Sequence, residues 1–428
     1  MAGRLLSLES AAAVRTIRTI LRQIGSHGVI DIFADYSKRD VWMSIYALSR
    51  LQRAARWYDD NNNNTNNSKG ILLGVKPRHR WTVVQDNELL DRLAHYAVYA
   101  SVAYGWTMDV AFTGRIRYLL GGGGSLETLL RRTKIPRGDV VTTSWESRTH
   151  RPAYFIVRDR VRKTLVLCLR GTWSPHDILT SLCCTPEDRE LSSLGKEEGA
   201  SLVMRGHHGM LEAAQAVQKA VEDVIRSELD ARPDFKLVLV GHSMGGGVAA
   251  LLGMLWEPIF PDLMVYAYGP PCVIPLTDKE STIIKSESNV ISVVGEDDPF
   301  SCLSLGHVAD ASVCLSNLCK NEKLGKDILL RTVLQVEEMS EKDLGWCSRT
   351  MVGLRRQMTN EKLYPPGKIL YLYKAKDSDA PVLVQVPPAH FRDLLIRPRM
   401  FDLTRHAPIK YVEDLRRLAD KINRSSCQ

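Results

Sequence analysis

A strand, a tight turn and a helix follow one another between Lys236 and Leu251, and this segment constrains the fold of the chain more than any other. The apolar run Leu237–Val240 predicts a buried strand. The turn after it reads Gly-His-Ser-Met-Gly (241–245), and small residues typical of a closely packed helix follow. Glycine two residues before and two after Ser243 permits a sharp strand-to-helix turn, because larger side chains would collide there. The turn should raise the serine hydroxyl above the end of the strand.

The pattern after residue 140 predicts an α/β fold. Short β-branched runs alternate there with helical stretches, which is typical of a mainly parallel sheet with crossover helices. The predicted strands are Tyr154–Val157, Leu165–Leu169, Leu237–Val240, Leu263–Tyr268, Val290–Val294, Ile369–Tyr373 and Val382–Val386. With the turn at Ser243, the alternation predicts an α/β-hydrolase fold over residues 136–428. Residues 308–362 are helical in composition and predict an insertion, either a cover for the site or a surface feature.

Residues 1–135 are predicted to form a helical N-terminal extension. An asparagine-rich run at 61–67 cannot bury apolar surface, and it predicts a loop. Within residues 1–25, apolar positions recur with helical spacing and arginines flank them. That segment is a membrane-surface helix, an organellar transit peptide or a helix packed on the rest of the chain, and the sequence leaves these alternatives open.

Charge and cysteine content limit the functional classes. The net charge of +8 over 428 residues is not gathered into runs of basic and aromatic residues, so nucleic-acid binding is not expected. An anionic membrane surface suits this charge as well as simple solubility does. No apolar run reaches the ~18 residues of a membrane span. Nine scattered cysteines without a secretory leader favour an intracellular protein, cytoplasmic or peripheral to a membrane, with organellar targeting by the basic helix left open.

A serine hydroxyl needs a general base and an orienting acid before it can act as a nucleophile. In α/β-hydrolases these groups follow the serine in the chain order acid, then histidine. The predicted strand Val290–Val294 is followed by Asp297 and Asp298, and both are candidates for the acid. His406 lies in a loop before a predicted C-terminal helix and is the first candidate for the base, with His390 as the alternative.

Negative charge that develops on a carbonyl oxygen needs two hydrogen-bond donors. One is expected from the backbone N–H of Met244, which directly follows the serine. The other should come from the loop after the strand Leu165–Leu169, where Thr172 can present both a backbone N–H and a hydroxyl. This chemistry uses neither a metal ion nor an organic cofactor, so none is expected.

Several motifs resemble the class 3 lipase family, and within it the diacylglycerol lipases of the sn-1-specific type. The similar segments are 93–106, 169–182, 207–210, 241–245, 365–370 and 398–406. The last of these resembles the loop that carries the family's catalytic histidine, here His406. The residues that follow Asp298 are similar to the family's acid loop, which favours Asp298 over Asp297. The resemblance covers roughly residues 31–420.

The resemblance implies a serine lipase that cleaves acyl esters of glycerolipids, most of all diacylglycerol, presented at a membrane or droplet surface. Apolar helices near 93–108 and 176–184, with the insertion, would form the lid and the lipid-facing surface. A phospholipase A1 or galactolipase with the same triad is one alternative. A catalytically inactive lipase-like scaffold is another, because Ser181 stands where the family usually has aspartate and the acid loop after Asp298 lacks the family's usual Pro-Arg.

Overall fold

A computed structural model of the chain describes the following residues: 32–62, 81–106, 124–147, 150–171, 186–191, 202–276, 289–296, 298–374, 381–396 and 403–425. Several sequence predictions concern positions outside these ranges: the basic helix within 1–25, most of the asparagine-rich run at 61–67, Thr172, the apolar helix near 176–184, Ser181 and Asp297. In the part of the chain that is described, no helix has both the length and the apolar character that crossing a bilayer requires.

Strands among the described residues form a nine-stranded sheet in the order β1-β13-β12-β10-β8-β7-β4-β3-β2. They are β1 (Thr82–Val83), β2 (Val140–Ser144), β3 (Tyr154–Asp159), β4 (Thr164–Leu169), β7 (Lys236–His242), β8 (Met264–Tyr268), β10 (Val290–Gly295), β12 (Lys368–Tyr373) and β13 (Val382–Gln385). Strands β4, β7, β8, β10 and β12 run parallel to one another. Strand β13 pairs antiparallel with β12, and β3 pairs antiparallel with β4 and β2. The mainly parallel sheet predicted from the sequence is confirmed.

Two further strand pairs lie outside this sheet. Strand β5 (Pro186–Leu191) pairs antiparallel with β6 (Leu202–His207), and β9 (Ile274–Pro275) pairs antiparallel with β11 (Leu363–Tyr364). Strands β5 and β6 lie in the connection between β4 and β7. Strand β9 follows β8, and β11 directly precedes β12.

The central strands are apolar throughout because successive side chains face opposite sides of the sheet and both sides are buried. In β7, Val238 and Val240 belong to the core on one face of the sheet, whereas Leu237 and Leu239 belong to the core on the other face. A strand that is covered by helices on both faces needs apolar residues at every position. Each predicted apolar run is a strand, with ends within about two residues of the prediction.

The helices are α1 (Ile32–Asp35), α2 (Lys38–Asn62), α3 (Asn87–Val102), α4 (Ser125–Thr133), α5 (His208–Asp230), α6 (Met244–Trp256), α7 (Leu305–Lys320), α8 (Glu322–Arg331), α9 (Glu341–Arg355) and α10 (Pro408–Ser425). Helices α3, α4 and α10 share a core with one face of the sheet, and α5 and α6 share a core with the other. This three-layer arrangement leaves the carboxyl ends of the parallel strands at one edge of the sheet.

Contacts between residues divide the chain into two units. One comprises residues 1–82, 302–362 and 389–401, and the other comprises residues 83–301, 363–388 and 402–428. Helix α2 lies in the first unit with the helical insertion α7–α9, and α3 and α4 lie in the second unit with the sheet. The division therefore does not coincide with the boundary at residue 135 that the sequence predicts.

Different packing partners account for this separation of the N-terminal helices. In the first unit, Ser44 of α2 lies 3.3 Å from Cys319 of α7, measured from Oγ to Sγ. In the second, Tyr96 of α3 stacks on Tyr266 of β8 with ring centroids 4.8 Å apart. Periodicity in the sequence shows which side of a helix is apolar, but it does not show which element covers that side.

Candidate active site

Ser243 connects β7 to α6 and adopts a backbone conformation that non-glycine residues rarely use, with φ 57° and ψ −133°. Its backbone N–H donates to the carbonyl of Tyr268 across 2.9 Å. Its own carbonyl accepts from the N–H groups of Gly246 at 2.9 Å and Gly247 at 3.1 Å. Strained backbone persists only where the surrounding structure holds it, and these bonds hold the turn.

Glycine on both sides of the serine is required by close backbone approach. A Cβ on Gly241 would lie 2.2 Å from the carbonyl oxygen of Gly245, and a Cβ on Gly245 would lie 2.3 Å from the carbonyl oxygen of Leu169. Both distances are far below van der Waals contact, and the opposing atoms belong to backbone that cannot move aside. The turn is therefore sharp for the reason predicted from its sequence.

Two further side chains meet the serine to form a chain of hydrogen bonds. His406 ends a short 3-10 helix (Leu403–His406) directly before α10, and its Nε2 lies 2.8 Å from the Oγ of Ser243. Its Nδ1 lies 2.8 Å from Oδ2 of Asp298, which follows β10. All three side chains are buried. The arrangement has the geometry of a nucleophile, a base and an orienting acid.

Asp298 receives hydrogen bonds besides the one from His406. Its Oδ1 accepts from the backbone N–H of Phe300 at 2.9 Å, and its Oδ2 accepts from the hydroxyl of Tyr411 at 2.5 Å. Burial, followed by the nearby charge of Asp298, raises the pKa of Tyr411 well above its ordinary value, so the phenol stays protonated and donates. These donors fix the carboxylate on the side of the imidazole that lies opposite Ser243.

The loop after β8 passes close behind this cluster. Gly269 has φ +52°, and a Cβ at this position would lie 2.7 Å from Asp298 Oδ2 and 2.8 Å from the Tyr411 hydroxyl. Only glycine satisfies both the backbone angle and the space. The small residue at 269 therefore lets the acid, the histidine and the tyrosine come together.

His242, the residue before the serine, supports the histidine loop. Its Nε2 lies 2.7 Å from the backbone carbonyl oxygen of His406, and its Nδ1 lies 2.7 Å from the hydroxyl of Tyr104. A carbonyl only accepts, so Nε2 carries the hydrogen and Nδ1 accepts from the tyrosine. Burial, and after it the proximity of His406, lowers the pKa of His242 well below the ordinary value, which keeps the ring neutral in this tautomer.

The expected oxyanion donors fall partly within the described residues. Met244 is the first residue of α6, so the positive end of the helix dipole lies beside Ser243. Thr172 lies outside the described ranges, but Gly171 before it is described. A Cβ on Gly171 would lie 2.3 Å from the Tyr104 hydroxyl and 3.0 Å from the Cβ of Ser243. Gly171, which directly precedes the predicted donor Thr172, thus lies close to Ser243.

The structure brings together Ser243, Asp298 and His406 among the predicted site residues. The alternative acid, Asp297, lies outside the described residues. The alternative base, His390, has a different set of neighbours: its Nδ1 lies 2.7 Å from Nη2 of Arg56, and its ring lies edge-on to Trp81 at 5.3 Å between centroids. His390 therefore belongs to the packing of the first unit.

Three supporting residues were not identified from the sequence, namely Tyr104, Gly269 and Tyr411. The two tyrosines contact partners 138 and 113 residues away along the chain, so no local pattern marks them. Gly269 gives a weak signal, because a glycine directly after a predicted strand at the carboxyl edge of a parallel sheet often permits close backbone approach.

Comparison with known proteins agrees with this geometry. Residues 166–305 match the family described as Lipase (class 3), a segment that contains Ser243 and Asp298. The diacylglycerol lipase-beta of Mus musculus is 29% identical over 213 residues, which cover 44% of this chain and 31% of that protein. The diacylglycerol lipase-alpha of Rattus norvegicus is 25% identical over 314 residues, which cover 67% of this chain and 29% of that protein. The matched segments thus span less than a third of either relative, at 31% and 29% of their lengths.

Among solved structures, lipase II from Rhizopus niveus is 17% identical, covers 72% of this chain and 88% of its own, and has a TM-score of 0.42.

The mainly parallel sheet and the strained strand-to-helix turn at Ser243 give this chain an α/β-hydrolase fold. Within that fold, residues 166–305 are similar to class 3 lipases. Its sequence is also similar to the two diacylglycerol lipases named above.

Proposed function

We propose that this protein is a serine lipase that hydrolyses acyl esters of glycerolipids, with diacylglycerol as the substrate. The observation that carries the proposal is the unbroken chain of hydrogen bonds from Ser243 through His406 to Asp298, with 2.8 Å at each step. The similarity to diacylglycerol lipases supports the choice of substrate.

In the first half of the proposed reaction, His406 Nε2 takes the proton of the Ser243 hydroxyl while Oγ attacks the ester carbonyl carbon. The carbonyl π bond opens, and its electron pair becomes an oxyanion. Backbone N–H groups of Met244 and Thr172 donate to that oxyanion. The imidazolium that forms is stabilised by the Asp298 carboxylate. The ester C–O bond then breaks, and the leaving glycerol oxygen takes the proton from His406.

The second half repeats these steps with water in place of the serine. His406 removes a proton from water, the hydroxide oxygen attacks the acyl-enzyme carbonyl, and the oxyanion returns to the same donors. Collapse releases the fatty acid, and Ser243 Oγ recovers its proton from His406. Water is the sole co-reactant in this sequence, so the proposal includes no cofactor.

The proposed substrate is a water-insoluble lipid, so the reaction takes place where the protein meets a membrane or droplet surface. We therefore include peripheral contact with a lipid surface in the proposal. The net charge of +8 suits an anionic surface.

Hydrolysis of a diacylglycerol with two different acyl chains tests the function. Wild-type protein should release fatty acid, and the chain that is released identifies the position that is cut. Ser243→Ala should lower turnover by about six orders of magnitude, because the triad acts as a unit. Ser144→Ala, a half-buried serine at the end of β2, is the matched control and should keep the wild-type rate.

Other results of the same assay would change the conclusion. Full turnover in Ser243→Ala would contradict the assignment of the nucleophile. Hydrolysis of phospholipid or galactolipid, but not of diacylglycerol, would keep the mechanism and replace the substrate. Wild-type protein that hydrolyses none of these lipids would contradict the lipase proposal and favour a non-catalytic scaffold.

A further inference from the structure

Helix α2 carries large apolar side chains on the side that faces away from its own core. Trp42 is 61% exposed, Met43 is 48% exposed and Tyr46 is 55% exposed. At 3.6 residues per turn, these three positions lie within about 100° of one another around the helix axis. The opposite side of α2 is occupied by buried residues such as Leu48 and Leu51. The exposed aromatic residues are therefore not needed to hold the helix in place.

A second element of the same unit extends this apolar surface. Leu330, Val333 and Leu334, at the end of α8 and in the turn after it, are 73%, 73% and 51% exposed. Arg50 connects this turn to α2, because its Nη2 donates to the carbonyl of Leu334 across 2.8 Å and its guanidinium lies 5.9 Å from the ring centroid of Tyr46. The apolar patch thus spans two elements.

The apolar patch consists of Trp42, Met43, Tyr46, Leu330, Val333 and Leu334.

Positive charge surrounds the α2 part of the patch. Between Ser37 and Tyr58 the sequence has five basic residues and one acidic residue. Arg39 and Arg53 are exposed, and the helical periodicity places both on the same side as Trp42 and Tyr46. The acidic residue, Asp40, lies in the first turn of the helix, where its side chain accepts a hydrogen bond from Ser37.

We propose that the apolar patch docks this protein on an anionic lipid bilayer. Exposed apolar side chains of this size on two adjoining elements mark an interaction surface. Tryptophan and tyrosine favour the boundary between water and lipid, and arginines beside them reach lipid phosphates. A bilayer accepts side chains that stand out from a convex helix, whereas protein partners usually bind such residues in preformed pockets.

The proposal goes beyond the proposed hydrolysis, because it assigns the membrane contact to α2 and the α8 turn. The α8 turn lies in the insertion that the sequence analysis included in the lipid-facing surface, whereas α2 was not among the predicted lipid-facing elements. It rests on the proposed function only in that a lipase must reach a lipid phase, and the measurement below does not depend on catalysis.

Vesicle sedimentation of the full chain tests the proposal, with Ser243→Ala as the background so that the vesicles stay intact. The vesicles contain phosphatidylcholine alone, or phosphatidylcholine with about 30% phosphatidylserine. Trp42→Ser combined with Tyr46→Ser should lower partitioning onto the anionic vesicles about tenfold or more. Val161→Ser is the matched control, because Val161 is 95% exposed in a turn of the other unit, and it should change nothing.

The charge component is tested separately. Arg39→Gln with Arg53→Gln should weaken binding to anionic vesicles about fivefold for each charge, and should leave binding to neutral vesicles unchanged. Arg39→Lys with Arg53→Lys keeps the charge and should retain binding. Raised salt should weaken the wild-type interaction in the same way.

Two outcomes would overturn the docking proposal. One is equal vesicle binding by the Trp42→Ser, Tyr46→Ser variant and its parent. The other is a wild-type dimer in solution that this variant converts to monomer, which would make the patch an interface between two copies. The same two substitutions, with Ser243 restored, should leave hydrolysis of a water-soluble ester at the wild-type rate. Failure of wild-type hydrolysis would therefore contradict the proposed function without affecting the docking result.

Discussion

The imidazole of His242 donates from Nε2 to the backbone carbonyl oxygen of His406 across 2.7 Å. The residue before the serine thereby holds the loop that carries the histidine, and the two rings lie 4.6 Å apart between centroids. Because Tyr104 holds the other nitrogen of His242, the imidazole has a single orientation. The position of His406 thus depends on His242, which directly precedes the nucleophile, and on Tyr104, which is distant from both in the sequence.

Replacement of this support should reduce turnover. His242→Phe keeps an aromatic ring but removes both hydrogen bonds, so we expect kcat on a water-soluble ester to fall about ten- to a hundredfold with little change in KM. The unfolding free energy should fall by about 2 kcal/mol, because the hydroxyl of Tyr104 and the carbonyl of His406 lose their partner. Steady-state kinetics and chemical denaturation measure the two effects.

Tyr104→Phe is the control for this substitution. It removes the hydroxyl but leaves the bond between His242 and the carbonyl of His406, so its effect on kcat should be smaller. An unchanged kcat in His242→Phe, together with lowered stability, would limit His242 to a structural role.

Gly171→Ala should impair the site through its backbone. The added Cβ would lie 2.3 Å from the Tyr104 hydroxyl and 2.6 Å from the carbonyl oxygen of His242, so the loop after β4 must move away from Ser243. We expect kcat/KM to fall at least about a hundredfold, the scale typical of the loss of one oxyanion donor. Gly353→Ala is the control, since nothing lies within 4 Å of its Cβ, and it should keep full activity. Wild-type kinetics in Gly171→Ala would show that this loop does not serve the reaction.

Tyr411→Phe removes a hydrogen bond to the Asp298 carboxylate. Bonds to charged groups contribute about 1.5–3 kcal/mol, so kcat should fall about tenfold if Tyr411 acts by holding the acid. The same substitution in an Asp298→Asn background should then have a much smaller effect. Equal losses in both backgrounds would show that Tyr411 acts independently of Asp298.

His207 should make the protein less stable at acidic pH. Burial lowers its pKa from 6.5 to about 4, so between these values the unfolded chain binds a proton that the folded chain does not. The stability from this group is complete above pH 6.5 and is lost as the pH falls towards 4, by at most about 3 kcal/mol.

His207→Asn isolates that contribution. His207 caps α5 by accepting from the backbone N–H of Met210 at 3.4 Å, and asparagine can also accept at a cap. Unfolding of the variant should take up one proton fewer than unfolding of the wild type, as measured by denaturation between pH 4 and 7.5. A pH dependence identical to that of the wild type would show that His207 does not titrate in this range.

Local sequence patterns were sufficient for part of this structure. The turn at Ser243 follows from three constraints within a few residues: an apolar strand, two glycines and a run of small residues. Likewise, the strands that are covered on both faces have continuous apolar runs, and these runs predict the strands. Such features depend on short-range sterics and on burial, so the sequence carries them directly.

Long-range partners could not be read in the same way. Family resemblance, rather than periodicity, favoured Asp298 over Asp297. The supporting contacts of Tyr104 and Tyr411 join residues more than a hundred positions apart, and nothing local specifies them. For the same reason α2 and α3 were predicted as one extension, although they pack on different partners.

Covalent labelling with an alkyl fluorophosphonate tests the central claim, that His406 activates Ser243 as a nucleophile. Attack by Oγ forms a serine–phosphorus bond and releases fluoride, and the proton passes to His406. We predict one adduct per chain, located by mass spectrometry on the peptide that contains Ser243, and labelling slowed at least about a hundredfold in His406→Ala. An adduct on another residue, or an equal labelling rate in His406→Ala, would contradict the claim.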